Sequence, residues 1–175
     1  MWNEELGRPA ASCQPEAGSS FRIPNFQFQI CMLKEREMQQ AMADALSSSP
    51  LWPAGAAVIV ARPGDIETAI LEAVGKSGLC AVVGEPDNIE GYTSEPTFAK
   101  SSEWTVAVFT QEISNQTGAD NLTAASLVRM ILSNTNPGNH WATPLMDCRI
   151  RFAGLLDGIV ARDVTFTAAY QGEYR

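Results

Sequence analysis

The chain has 175 residues, 45% of them hydrophobic and 8% aromatic, enough for one domain with an ordinary core and not the composition of a disordered chain. Twenty acidic against twelve basic residues give a formal net charge of −8, which argues against a phosphate-binding surface, since that needs clustered Lys and Arg. No apolar run approaches the ~18 residues of a membrane span, so no membrane partner is expected.

Residues 1 to about 25 carry Pro9, Pro15, Pro24, Gly7 and Gly18 and show no helical or strand period. They read either as a disordered tail or as an extended arm that orders against a neighbouring subunit, with Trp2 and Phe21 as anchors. The start, Met1-Trp2-Asn3-Glu4-Glu5, is acidic and lacks the apolar core of a secretion signal. A reducing compartment is therefore expected, without disulfides. Phe26, Phe28 and Ile30 alternate with Gln27 and Gln29, the period of an edge strand or of the last piece of the arm.

From about Met32 to Ser48 the pattern is helical, with Leu33, Met38, Met42, Ala45 and Leu46 mostly on one side. Ala56 to Ala61 reads as a buried strand. Asp65 then caps a helix in which Ile66, Ala69, Ile70, Ala73 and Val74 recur at three-and-four spacing, closed around Gly75 and Gly78. Leu79 to Val83 is a second buried strand, a parallel partner for the first. Cys80 lies inside it and reads as a structural thiol, and Cys148 sits similarly at a strand start. The stretch 84–102, with Pro86, Gly91, Pro96 and the acids Glu85, Asp87, Glu90 and Glu95 around Tyr92, reads as a long loop.

Trp104 to Ile113 alternates between two largely apolar faces, as a central strand does. A helix from about Leu122 to Asn134 follows, with Leu122, Ala125, Val128, Ile131 and Leu132 inward, ended by Asn134-Thr135-Asn136-Pro137-Gly138. Met146–Leu156 and Ile159–Tyr170 flank Asp157-Gly158, a hairpin signal. Val164, Phe166, Ala168 and Tyr170 share one face, and Arg149 and Arg151 point together off the sheet, either as a solvated strand face or toward acids of another subunit.

Residues with catalytic potential are sparse. Gly75-Lys76-Ser77 is not a phosphate loop, because Ile70 stands where the motif needs Gly and the triplet ends a helix rather than opening one. His140 is the single histidine; it follows a turn, and neither Asp147 nor Cys148 stands at a recognised catalytic spacing from it. The four cysteines show no metal-ligand spacing, and Glu85, Asp87 and Glu90 lack the order of a calcium loop. No catalytic residue, cofactor or metal is expected. The fold class expected is α+β: a mixed, mostly antiparallel sheet of about five strands packed with three helices, plus an extended N-terminal arm. The arm spans 1–25, and a single domain spans 26–175.

This order of elements resembles the tail terminator, or tail-tube completion, proteins of long-tailed bacteriophages. The resemblance rests on Trp104-Thr105-Val106-Ala107-Val108 with its following turn, the helix 122–134 and the closing Val164-Thr165-Phe166-Thr167-Ala168-Ala169-Tyr170, and covers roughly residues 32–170. It implies a virion structural protein, assembled in the host cytoplasm, that forms a homo-oligomeric ring of six. Such a ring caps the tail tube, stops its polymerisation and offers a docking face to the head connector or neck, with DNA only passing through the lumen. It implies no enzyme activity. On this reading Trp2, Phe21, Phe26, Phe28, Arg149 and Arg151 are the expected subunit contacts. Glu85, Asp87, Glu90, Tyr92 and Glu95 are expected to face the tube or the lumen. The competing readings are another tail tube or neck component, and a small α/β enzyme or ligand-binding module with its site beside 84–102.

Overall fold

A computed structural model describes residues 25–62, 64–94, 97–133, 135–137 and 143–173. In chain order the elements are α1 (Asn25–Ser48), β1 (Ala57–Val60), α2 (Ile66–Ser77), β2 (Leu79–Val83), β3 (Asp87–Ser94), β4 (Thr97–Gln111), α3 (Asn121–Leu132), β5 (Met146–Leu156) and β6 (Ile159–Glu173). The sheet runs β1-β2-β4-β6-β5, with β3 added beside β4, and only the β1–β2 pair is parallel. Among the described residues this is the expected α+β class: three helices on a mixed, mostly antiparallel sheet.

Two apolar layers flank the sheet. On one face α1 and α3 pack Met38, Met42, Leu46, Val128 and Leu132 against Leu79, Val83, Trp104, Val106, Val164 and Phe166. On the other, α2 packs Val74, Ile66, Ile70 and Ala73 against Cys80, Val82, Ile59, Ala107 and Phe109. β1 and β2 therefore have helices on both faces, which is why both read as unbroken apolar runs. Burial pushes the Cys80 thiol up to about 12, so it stays protonated at neutral pH.

Local chemistry sets the helix ends. Asp65 accepts from the Thr68 amide at the start of α2, and Asp120 from the Thr123 amide at the start of α3. Gly78 ends α2 at φ 77° and donates to the Val74 carbonyl. A Cβ there would lie 2.1 Å from the Asn115 Cα, so the position needs glycine twice over. Asp157 and Gly158, at φ 50° and 78°, form the hairpin turn between β5 and β6.

Three expectations are corrected. The stretch 84–102 is not a loop: most of it is β3 and the start of β4, paired from Asp87↔Glu103 to Ser94↔Thr97. Pro86 lies just before β3, outside the ladder, where proline is tolerated, so it bounds the hairpin instead of excluding it; Pro96 lies outside the described residues. Residues 26–30 are not a strand but the first turns of α1, since Phe26, Ile30 and Leu33 also fit helical spacing. Leu122 is 53% exposed rather than inward. Asn121 takes its place, its amide nitrogen reaching the Val108 carbonyl (3.1 Å), the Thr110 hydroxyl (2.9 Å) and the Val160 carbonyl (3.1 Å). Those bonds lock the rotation of α3 about its axis.

Gln39, buried on α1, was equally hidden among polar residues in the sequence. Its amide donates to the carbonyls of Ala61 (2.9 Å) and Val83 (3.0 Å), tying α1 to the ends of the parallel pair.

Candidate assembly surface

Among the described residues the helical layers do not cover the whole sheet, and what they leave open is the candidate surface. Five strands at ~4.8 Å span about 24 Å, whereas two packed helices cover about 20 Å. α1 sits on β1 and β2; α3 sits mainly on β6 and β4. β5 is left at the margin, hydrogen-bonded to β6 along one edge and, among the described residues, to no strand along the other.

The two faces of β5 differ. Arg149 and Arg151 are exposed on the α2 side, opposite Thr165 and Asp163 of β6. Partial burial raises the Asp163 carboxyl above the usual carboxylate range, and the Arg151 guanidinium pulls it back. Nearby, the Thr167 hydroxyl donates to the Asp147 carboxylate at 3.1 Å. The middle of this face is polar, while Met146 and Leu156 at its two ends are 48% and 74% exposed.

The opposite face of β5 is apolar. Cys148 and Ile150 pack against the edge of the main core, while Phe152 and Leu155 stay 59% and 65% exposed. Register places Phe152 against Arg162 and Leu155 against Val160 of β6. The Arg162 guanidinium lies 5.8 Å from the centre of the Phe152 ring, and its Nε is buried without a hydrogen-bond partner. On α3, exposed Leu122 stands at the same end, one residue from the Asn121 that bonds Val160. Arg129, also on α3, is close enough to draw down a Cys148 thiol that burial raises. The result is an uncovered apolar strip with Arg129 and Arg162 beside it.

A second projecting feature is the β3–β4 hairpin. β2 and β3 pair with successive parts of the same edge of β4, and β6 pairs along its other edge from Gln111↔Ile159 to Thr97↔Glu173. The 15 residues of β4 make a strand about 50 Å long, so its first half runs on past the α2-covered β2 segment as a three-stranded β3-β4-β6 blade.

The expected contact residues fall as follows. Arg149 and Arg151 lie on the α2 side of β5; Phe26 and Phe28 lie in the first turns of α1. Trp2 and Phe21 lie outside the described residues, as do Glu95 and His140. Glu85 and Asp87 are exposed at the base of the hairpin, and Glu90 and Tyr92 are on β3. The strip of Phe152 and Leu155 was missed, because the apolar side of an Arg-Ile-Arg-Phe alternation reads as inward. Counting helices against strands would have exposed it.

An open cleft of about 260 Å³, lined by Ala61, Arg62, Ile66 and Glu85, sits where the parallel strands end. Arg62 and Glu85 are exposed there. Among the described residues no group of three or more His, Cys, Asp or Glu is arranged to hold a metal ion. No described helix is long and apolar enough to cross a membrane.

No family model matches the chain, and no curated protein does. Among solved structures, a chain of the virion of the native gene transfer agent (GTA) particle is similar, with a TM-score of 0.51 and 16% identity. The match covers 77% of this chain and 94% of that one, a likeness of fold.

Proposed function

We propose that this chain is a virion structural subunit of the tail-terminator kind. Six copies form a ring that ends tail-tube growth and presents a docking face to the head connector. DNA passes through the lumen and is not held, in keeping with the net charge of −8. The observation that carries this reading is the shared fold with a chain of a virion particle, over nearly the whole of that chain. The unpaired β5 edge and the β3–β4 blade supply surfaces that a lone subunit leaves unused.

In this arrangement residues 1–24 reach across a neighbour with Trp2 and Phe21, the start of α1 brings Phe26 and Phe28 to the same contact, and Arg149 and Arg151 meet a neighbour's acids. The blade, with Glu85, Asp87, Glu90, Tyr92 and Glu95 along its base and length, faces the tube or the lumen. No catalytic step is assigned.

Negative-stain microscopy of the purified protein, alone and with tail tubes, tests this. Closed rings that cap tubes of fixed length are expected. Long fibres of the protein alone would make it a tube subunit instead, and monomers that never bind tubes would overturn the proposal. Removing residues 1–20 should weaken ring formation or docking; unchanged assembly would remove that segment from the account.

A further inference from the structure

We propose that the α2 helix of a second copy of this chain seats on the strip of β5 that α1 and α3 leave open, as a third helix on that face. The inference deepens the ring reading and rests on it only in requiring that copies meet head to tail.

The strip offers Phe152, Leu155 and Leu122, each more than half exposed, with the Arg162 guanidinium over the Phe152 ring and near Asp120, and with exposed Arg129 near Cys148 of the same strand. An occupant should therefore be apolar at its centre and acidic at its rim. α2 has that make-up on the face turned away from its own sheet. Leu71 is 53% exposed there, flanked by exposed Glu67 and Glu72, with exposed Lys76 one turn beyond Glu72 toward the end of the helix. Gly75 follows one turn after Leu71, with nothing within 4 Å of a Cβ built on it, so a partner surface can come close to the helix.

Within one chain the two patches cannot meet. α2 covers the β1–β2–β4 part of one sheet face, and the strip lies at the far edge on the opposite face. Pairing strip with strip would set Arg129 and Arg162 of one copy against the same groups of another, a like-charge contact that costs affinity. Strip against α2 joins opposite charges around apolar centres. It uses two different patches, so it repeats head to tail and ends as a ring where the rotation closes.

The test is the assembly state of the full chain by native mass spectrometry and light scattering, with circular dichroism as a check on folding. Leu71→Arg should weaken self-association at least tenfold, and so should the pair Glu67→Arg with Glu72→Arg. All three positions are exposed on α2, so the melting curve should stay as in the parent. Adding Arg129→Glu to the Glu67 and Glu72 changes should restore part of the lost assembly, since the contact at Arg129 then joins opposite charges again while Arg162 stays as in the parent. Rings that persist unchanged in the α2 variants would overturn this contact while leaving the ring reading intact. A triple variant no better than the double would overturn the charge pairing on which the proposal rests. A parent protein that stays monomeric at all concentrations, with and without tubes, would overturn both.

Discussion

The two ends of the sheet are built on different terms. At the β1–β2 end, helices lie on both faces, and Leu79, Cys80, Ala81 and Val83 are all fully buried. At the β5 end, α3 reaches one face only in part and no described helix lies on the other, so residues from Arg149 to Leu156 are mostly exposed among the described residues. The first end holds the fold together, and the second presents surface. Substitutions should therefore act on stability at one end and on association at the other.

The largest effect should come from the core that joins the two ends. Phe166→Ala removes a fully buried ring beside Trp104 and should cost about 3–5 kcal/mol in urea unfolding. Gln39→Leu at the covered end should cost about 1–3 kcal/mol, because the Ala61 and Val83 carbonyls lose a buried donor. Phe152→Ala at the open end should cost no more than about 1 kcal/mol, the worth of its contact with Arg162. A Phe152 variant as damaging as the Phe166 one would erase the distinction between the ends.

The smallest effect is one of pH. Asp163 has a raised carboxyl pKa, so folding favours its protonated form and its contribution to stability declines as pH rises through the carboxylate range. Asp163→Asn should therefore raise the melting temperature slightly at pH 7 relative to the parent and lose that advantage near pH 3. The cap Asp120 has the opposite sign. Thr123 bonds hold its pKa below the ordinary value of 3.8, so its contribution is present above that value and is lost as pH falls below it. Asp120→Ala should lower the melting temperature at pH 7 and change little at pH 2.

Much of the covered end was legible in the sequence. Apolar runs gave β1 and β2, three-and-four spacing gave α2, and Asp65 and Gly78 gave its limits. The hairpin turn at Asp157-Gly158 was equally plain. The β3–β4 blade was not, because its strands draw their stability from pairing along β4 rather than from an apolar face that alternation would reveal. Nor was the role of Asn121: a polar residue at a helix start reads as a cap, and only tertiary geometry shows it bonding two strands. The surface strip depends on how far two helices reach across a sheet, a quantity that no local pattern encodes.

The insertion of β6 between β4 and β5 has a consequence for how a newly made chain matures. Gln111 must find Ile159, and Thr97 must find Glu173, across the whole of α3 and β5. Closing such distant pairs is entropically expensive and slow. While translation is still short of β6, the edge of β4 opposite β2 and β3 stays bare, and Trp104 and Val106 lack their partners Phe166 and Val164. A nascent chain paused there would expose a sticky intermediate, so chaperone dependence during expression should concentrate in the interval before residue 173 leaves the ribosome.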